Sequence, residues 1–190
     1  MRWNSHISGM VSGLRGLLQN FRFLRQVLDL KRLKVIYYAL VESRLTYGNL
    51  LWGSAAKCHI IKLERFQKRV LKLMLSRTRD YPSDKLYREA DVLDIRQLFF
   101  LKCVIVKYEE RLKLNYIEHD YHTRSVTQQK TRTAFCSTTV GRRSLEYLGN
   151  RLFNFLPHEI RNLKTRKKFV VRTKTFLMER SRNLIGSLME

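Results

Sequence analysis

Proline and long apolar runs are both scarce in this sequence. Only two prolines, Pro82 and Pro157, stand among 190 residues, so few positions are fixed to interrupt a helix. No apolar run approaches the ~20 residues that a membrane-spanning helix needs, and Arg2 and Trp3 stand where a secretion signal would have an apolar core. We therefore expect a helical, soluble, intracellular protein with no membrane partner.

Cysteine is scarce as well, and its spacing is wide. The three cysteines, Cys58, Cys103 and Cys136, are an odd number, which argues against a disulfide framework and for a reducing environment. We interpret them as small core residues. The five histidines have no C-x-x-C partner, so the sequence predicts no zinc site.

Recognisable catalytic motifs are absent from the sequence. It contains no glycine-rich phosphate loop, no G-x-S-x-G, no H-E-x-x-H and no Asp-Asp pair. Glu109 and Glu110 fall on a predicted helix, where adjacent side chains point about 100° apart, so we do not expect them to bind a metal together. For this chain alone we expect no catalytic residue, no metal ligand and no enzymatic activity.

Positive charge is what the sequence has in abundance. Lysine and arginine number 38 against 16 aspartates and glutamates, which gives a formal net charge of +22. A field of one sign repels itself unless an anionic partner neutralises it, and a nucleic acid is the most direct candidate. No acidic residue stands between Asp120 and Glu146, so Lys and Arg are the charged residues of this stretch.

Hydrophobic periodicity predicts an all-α fold, an irregular multi-helix bundle. Apolar residues recur every three or four positions from Ile7 to Leu28 in a first helix. The same period predicts a second helix over about 30–45 and a third over about 60–76. Between these two, the segment from Tyr47 to Gly53 is expected to form a further turn or short helix.

The remaining boundaries follow from capping residues and composition. Ser83 is the expected N-cap of a short helix, and Asp94-x-x-Gln97 has capping-box spacing for a longer helix that ends near Leu114. Threonine, serine, glutamine and basic residues dominate 121–144, which predicts a polar, basic loop or a weak hairpin. Helical periodicity then returns. The predicted divisions are a helical bundle over 1–120, the basic loop or linker over 121–144 and a C-terminal helical extension over 145–190.

The first predicted helix contains three glycines, Gly9, Gly13 and Gly16. Each weakens the helix by up to ~1 kcal/mol relative to alanine, unless another backbone packs closely at that position. We expect such close packing at all three.

The third predicted helix has two separate faces. At 100° per residue, Lys62, Arg65, Arg69 and Lys72 fall within roughly 80° of arc, and Leu63, Phe66, Val70 and Met74 occupy a separate arc of similar width. Basic side chains in such a row can follow a phosphate backbone, although many charged helix faces are merely solvated. The net charge of the chain favours binding of nucleic acid here.

Two further basic patches follow. The first contains Arg124, Lys130, Arg132, Arg142 and Arg143 among hydroxyl residues, and it either becomes ordered on a nucleic acid or forms a disordered connector. The second is typical of either a phosphate-contacting cluster or a nuclear-import signal. Its basic residues are Arg161, Lys164, Arg166, Lys167, Lys168, Arg172 and Lys174.

Four aromatic residues also have two interpretations. Tyr37, Tyr38, Tyr47 and Trp52 are of the type that stacks on bases in single-strand binders. Their helical spacing beside leucines favours core and edge packing, which we rank first.

Four ordered motifs along the chain resemble one known family. They are Trp3-x-x-His6-Ile7, the run from Tyr37 through Tyr47-Gly48 to Trp52-Gly53, Gln67-Lys68-Arg69, and Asn154-x-Leu156-Pro157-x-x-Ile160-Arg161. In order and spacing they resemble the region that follows the polymerase core in non-LTR (LINE-type, Jockey-like) retrotransposon reverse transcriptases. That family usually has a tryptophan before the asparagine of the last motif, whereas Phe153 stands here. Pro157 and Asn154 also have a simpler interpretation, in which proline opens a short helix and the asparagine supports the turn.

The resemblance implies a thumb and post-thumb piece of a larger polymerase. The catalytic palm, with its Mg²⁺-binding carboxylates, would belong to the rest of the parent protein, and this chain would need no cofactor. Its partners would be template RNA, an RNA–DNA hybrid or target DNA, together with the palm and fingers, in a nuclear or cytoplasmic ribonucleoprotein. The nucleic-acid-binding residues we expect are Lys62, Arg65, Lys68, Arg69 and Lys72 first, then Arg142, Arg143, Lys167 and Lys168.

Two other classes of protein fit the same sequence. One is a basic protein-interaction scaffold, whose charge serves an acidic protein partner or keeps the chain soluble. The other is a stand-alone, domesticated RNA-binding protein. Salt-titrated binding to duplex RNA, to an RNA–DNA hybrid and to an acidic protein separates these possibilities.

Overall fold

The described part of the chain is helical, and the all-α prediction is confirmed. The computed structural model describes residues 3–113, 130–133, 135–180 and 182–188, and no strand occurs in these ranges. None of the helices described there is both long enough and apolar enough to cross a membrane.

The chain forms two compact units, Met1–Arg96 and Gln97–Glu190. The division falls in the first turn of the helix that begins at Ile95. Residues 121–129 and 134 of the predicted loop lie outside the described residues, so the predicted linker at 121–144 stays a prediction.

In the described residues, the first unit contains α1 (Asn4–Val27), α2 (Leu30–Tyr37), a π-helical turn (Tyr38–Glu42), α3 (Ser43–Thr46), α4 (Asn49–Trp52), α5 (Lys57–Met74) and α6 (Ser83–Ala90).

The first unit is built on α1 and α5, which pack along each other. Ile7, Leu14 and Phe21 of α1 are fully buried, at the helical spacing that the periodicity predicted. The helix ends where Leu28 takes up an extended backbone conformation. Both long helices of this unit were therefore predictable from their apolar period.

The glycines of α1 have open space where a side chain would begin. A Cβ atom added at Gly9, Gly13 or Gly16 meets nothing within 4 Å. The expectation of close backbone packing at these glycines is therefore wrong for the described chain. Their cost to the helix is not offset by close backbone packing, although the Arg44 guanidinium donates to the Gly13 carbonyl oxygen at 3.4 Å.

The second predicted helix is continuous from Leu30 to Thr46, but its hydrogen bonding changes midway. Asp29 caps its start, because its carboxylate accepts a hydrogen bond from the Arg32 N–H at 3.1 Å. The π-helical turn then inserts a wider turn into the helix. Gly48 follows with φ 61°, a left-handed conformation that suits glycine, and α4 begins directly after it.

The four aromatic residues of this region divide between the core and the surface. Tyr37 and Trp52 are buried, so the core interpretation is confirmed for them. Tyr38 is half-buried. Tyr47 is 80% exposed, so core packing is wrong for this residue.

The capping predictions hold at one helix and fail at another. Asp94 caps α7, since its carboxylate accepts a hydrogen bond from the Arg96 N–H at 2.9 Å. Ser83 is the first residue of α6, and Pro82 occupies the cap position with no side-chain hydrogen bond. The prediction of Ser83 as N-cap is therefore wrong by one residue.

The second unit contains a long helix followed by shorter ones. The described residues of the polar segment have no regular secondary structure from 130 to 133 and from 135 to 137, and a short helix follows at Thr139–Arg142. Pro157 precedes a short helix, as predicted. The described helices are α7 (Ile95–Lys113), whose first turn contains the division between the units, α8 (Thr139–Arg142), α9 (Leu145–Phe155), α10 (His158–Arg161), α11 (Arg166–Glu179) and α12 (Arg182–Leu188).

An aromatic stack lies in the core of the second unit. The rings of Tyr108 and Phe169 are 4.2 Å apart and nearly parallel, and the Tyr108 hydroxyl donates to the Leu163 carbonyl oxygen at 2.6 Å. The buried Gln97 side chain donates to the Leu177 carbonyl oxygen at 2.7 Å. These contacts fix α7 against α11 and against the chain just before it.

The cysteines differ in their surroundings. Cys103 is fully buried in α7, and burial raises the pKa of its thiol to about 12. Cys136 is half-buried, and Cys58 is exposed. The core interpretation is confirmed for Cys103 and wrong for Cys58.

Candidate nucleic-acid interface

The helix α5 separates an apolar side from a basic side, as predicted. The apolar side faces the core of the first unit, where each of its four predicted residues is at most 5% exposed. Burial of one stripe fixes the rotation of the helix and thereby turns the opposite side outward. The buried residues are Leu63, Phe66, Val70 and Met74.

The basic side of α5 consists of Lys62, Arg65, Arg69 and Lys72, which we call the cationic rail. Three of these side chains are exposed, and Lys72 is half-buried. Lys68 is also half-buried and lies on the helix beside the rail. The structure therefore brings the five basic residues that were predicted on this helix to one surface of the first unit.

No carboxylate pairs with these five basic residues in the described part of the chain. The one acid on α5, Glu64, is bound instead by Arg96, with 2.7 Å between Oε1 and Nε. Both partners of that pair are largely buried. The positive charge of the rail is therefore left unneutralised by the described protein.

The two ends of the cationic rail contact neutral acceptors. Lys62 Nζ donates to the Asn4 side-chain oxygen of α1 at 3.4 Å. Lys72 Nζ donates to the Arg79 carbonyl oxygen. A neutral acceptor positions an ammonium group without cancelling its charge, so both lysines keep their attraction for an anion.

The glutamine of the motif Gln67-Lys68-Arg69 points into the core of the first unit. Gln67 is fully buried, and its side-chain nitrogen donates to the Tyr37 hydroxyl oxygen at 2.8 Å and to the Leu93 carbonyl oxygen at 2.9 Å. The Tyr87 hydroxyl donates to the Gln67 side-chain oxygen at 3.0 Å. Burial raises the pKa of Tyr37 well above its ordinary value, so its hydroxyl stays protonated. Gln67 therefore stabilises the core.

Residues from two other motifs also meet in the first unit. The ring of His6 lies 6.0 Å from that of Trp3 and 6.5 Å from that of Trp52, measured between centroids. The Trp52 indole nitrogen donates to the Tyr47 carbonyl oxygen at 3.0 Å. The motif residues at the start of α1 and in α4 thus form one aromatic cluster.

Arg142 and Arg143 lie at the end of the short helix α8. The Thr138 hydroxyl caps this helix by accepting a hydrogen bond from the Gly141 N–H at 3.1 Å. The guanidinium of Arg142 donates to the Cys136 carbonyl oxygen at 3.1 Å. Both arginines are exposed. The loop is folded locally here, and its two arginines face solvent.

Two asparagines on α9 form hydrogen bonds with the backbone of residues 130–133, which we call the basic segment. Sequence reasoning missed this feature. Asn154 accepts a hydrogen bond from the Thr131 N–H and donates one to the Thr131 carbonyl oxygen, each at 2.8 Å. Asn150, one turn earlier, donates to the Arg132 carbonyl oxygen at 3.0 Å. The interpretation of Asn154 as a turn residue was therefore incomplete. The signal in the sequence was the spacing of four between the two asparagines.

Lys167 and Lys168 lie in the first turn of α11 and are exposed. The same helix buries Phe169 and Leu177, so its apolar side is fixed against the core of the second unit. The preceding residue, Arg166, differs from the two lysines because it pairs with Glu109, with 2.5 Å between Nε and Oε1. Neither lysine forms an ion pair with a described residue.

The neighbouring carboxylates of α7, Glu109 and Glu110, form separate ion pairs. Glu110 binds the buried Lys107, with 2.8 Å between Oε2 and Nζ, and Glu146 binds the same ammonium group at 2.9 Å. Sequence reasoning did not find this cluster. Among the residues that the structure describes, no three His, Cys, Asp or Glu side chains are grouped to hold a metal ion.

Comparison with known proteins gives no match. No protein-family model matches the chain, and no curated protein or solved structure is significantly similar to it. The fold and the surface therefore define only the class of protein: a basic all-α protein with an unpaired cationic helix face.

Proposed function

We propose that this chain is a nucleic-acid-gripping module, the counterpart of the thumb and post-thumb portion of a non-LTR retrotransposon reverse transcriptase. The observation that carries the proposal is the cationic rail, which is a row of basic side chains along α5 with no carboxylate partner among the described residues. The sequence motifs that resemble that family supply the specific assignment.

The mechanism in this proposal is grip and not chemistry. Basic side chains one turn apart along a helix follow a phosphate backbone, and each phosphate that they neutralise releases counterions from the nucleic acid. Such contacts position the duplex without reading its sequence. The module would support template–primer or target DNA during target-primed reverse transcription, within an intracellular ribonucleoprotein.

The chain has no catalytic role of its own in this proposal. The Mg²⁺ ions and the carboxylates that hold them belong to the palm of the parent polymerase, which would be the protein partner. Phe23 and Val27 lie one turn apart on α1 and are each more than 60% exposed, as are Val35 and Leu51, so a protein partner would find apolar side chains to cover on the first unit. The same side chains support the alternative function, a protein-interaction scaffold.

Salt-titrated binding tests the proposal. The triple variant K62Q/R65Q/R69Q removes the exposed part of the rail. We expect weaker binding to duplex RNA and to an RNA–DNA hybrid, and a slope of log K against log[salt] that is shallower by about 0.9 for each phosphate that is no longer neutralised. The loss of affinity should be the same for every nucleic-acid sequence.

A charge-matched control separates the rail from bulk charge. The variant K31Q/K85Q/R88Q removes three exposed basic residues of the same unit that lie outside α5. Its salt slope should stay close to that of the wild type. Equal slopes for the wild type and the rail variant would defeat the proposal, and tight binding of an acidic protein with weak binding of nucleic acid would support the scaffold.

A further inference from the structure

The helix α1 borders the cationic rail along its length. At one end, Asn4 of α1 accepts the hydrogen bond from Lys62 of α5 at 3.4 Å. At the other end, Arg25 of α1 donates to the Leu73 carbonyl oxygen of α5 at 3.5 Å. The two helices therefore run in the same direction, with one edge of α1 next to the basic side of α5.

That edge of α1 is itself basic. At 100° per residue, Asn4, Arg15 and Arg22 fall within roughly 20° of one another on the helix. Since Asn4 contacts the rail, the two arginines on the same line lie on the side of α1 that faces it. Arg15, Arg22 and Arg25 are all exposed, and none of them forms an ion pair with a described residue.

Acidic residues are nearly absent from this pair of helices. The sequence of α1 contains none, and the single acid of α5, Glu64, is engaged by Arg96. Packed helices lie about 8–10 Å apart, which is close to the Debye length of about 8–10 Å at physiological salt. The fields of the two basic rows therefore add, and the seam between them attracts an anion more strongly than either row alone.

From this geometry we infer that the seam between α1 and α5 is a single binding groove for a nucleic-acid backbone. Arg15, Arg22 and Arg25 contact the phosphates from one side, and the cationic rail contacts them from the other. This inference rests on the proposed function and extends it, because it assigns α1 to the interface and places the phosphates along the seam.

The variant R15Q/R22Q/R25Q tests the inference with a short, fluorescein-labelled RNA strand and with an RNA–DNA hybrid as probes. We expect a salt slope that is shallower by about 0.7 on the single strand and about 0.9 on the hybrid for each phosphate released from an arginine. Arg25 also donates a hydrogen bond to the Leu73 carbonyl oxygen. A second variant, R15Q/R22Q, leaves that hydrogen bond in place and should still make the salt slope shallower. Far-ultraviolet circular dichroism and thermal denaturation check that both variants are folded.

The outcomes distinguish this inference from the proposed function. A shallower slope for R15Q/R22Q and an unchanged slope for K31Q/K85Q/R88Q support the groove. If the rail variant has a shallower salt slope while both α1 variants bind like the wild type, the groove is wrong and only the cationic rail contacts the phosphates. If neither the rail variant nor the α1 variants change the slope, the proposed function fails together with the groove.

Discussion

The side chain of Gln67 donates to the Tyr37 hydroxyl oxygen at 2.8 Å, across thirty residues of sequence. Both residues belong to the motifs that resemble the reverse transcriptase family. Their contact joins α5 to the end of α2 inside the first unit, where Leu93 and Tyr87 complete the hydrogen-bonding of the amide. The position of α5, and hence the direction of the cationic rail, depends on this buried polar cluster.

Replacement of Gln67 by leucine should destabilise the first unit strongly. The variant Q67L leaves the Leu93 carbonyl and the Tyr37 hydroxyl oxygen without their Gln67 donor and removes the Gln67 oxygen that accepts from the Tyr87 hydroxyl. Since each unsatisfied buried polar group costs about 1–3 kcal/mol, we expect a loss of about 2–4 kcal/mol in the free energy of unfolding. Urea denaturation measures this loss.

The matched control for Q67L is Q26L, because Gln26 is exposed on α1. Its free energy of unfolding should stay within about 0.5 kcal/mol of the wild type. If Q67L were as stable as Q26L, the buried cluster would not position α5.

The sequence predicts the two sides of α5 but not the cluster that orients them. The apolar period placed Phe66 in the core, and the charge pattern placed Arg69 on the surface, because both depend on local spacing alone. A buried glutamine is different, since its partners come from chain segments 26 and 30 residues away. Tertiary hydrogen bonds of this kind leave no periodic signal in the sequence.

The same limit applies to the second unit. Lys167 and Lys168 were expected on the surface and lie there, because the first turn of an amphipathic helix exposes residues outside its apolar stripe. Lys107 is buried in spite of its charge, because Glu110 and Glu146 neutralise it. A lysine within a helical pattern is expected on the surface, and only the fold reveals a partner that lies 39 residues further on.

The contact between Asn154 and Thr131 gives the next prediction. The variant N154A removes both hydrogen bonds to the Thr131 backbone, so the basic segment should open more often. With about 0.5–1.5 kcal/mol for each bond, we expect amide hydrogen exchange at Thr131 to become roughly fivefold to a hundredfold faster. The variant N20A, which replaces an exposed asparagine of α1, should leave this rate unchanged. Equal protection in N154A would show that other contacts hold the segment.

The Lys107 cluster predicts an asymmetric response to substitution. Burial lowers the pKa of Lys107, but the hydrogen bonds that its ammonium group donates to Glu110 and Glu146 outweigh burial, and the net shift is upward. The double variant E110Q/E146Q leaves a buried ammonium group without its countercharges, and we expect it to cost roughly 1–3 kcal/mol. K107M should cost less, because the Glu146 side chain is 76% exposed and that of Glu110 is 46% exposed, so water reaches both carboxylates.

The same cluster predicts how stability depends on pH. The hydrogen bond to Lys107 lowers the pKa of Glu146 below its ordinary value of 4.5, so the pair stabilises the fold at neutral pH and loses that effect as the pH falls through the lowered pKa. The upward shift at Lys107 means that the stabilisation persists up to the ordinary pKa of 10.5 and is lost as the pH rises through the raised pKa. The difference in melting temperature between the wild type and E110Q/E146Q should therefore be largest near neutrality and vanish in acid. A difference that is constant across pH would contradict the ion pairs.

The open glycines of α1 give the last prediction, which concerns the triple variant G9A/G13A/G16A. Each added Cβ meets no described atom within 4 Å, and alanine favours a helix over glycine by up to about 1 kcal/mol. We therefore expect the free energy of unfolding to rise by about 1.5–3 kcal/mol in urea denaturation. The control G48A should lower it, because Gly48 has φ 61°.

This glycine variant also tests whether the uncovered side of α1 has a partner in a larger protein. In the proposed function, the palm and fingers of a polymerase pack against the chain, and glycines allow a second backbone to approach a helix closely. The triple variant would then be more stable alone yet bind more weakly to a separately expressed polymerase core. A gain in stability with unchanged binding would exclude this side of α1 from the contact. A loss of stability would mean instead that a part of the chain itself packs on the glycines.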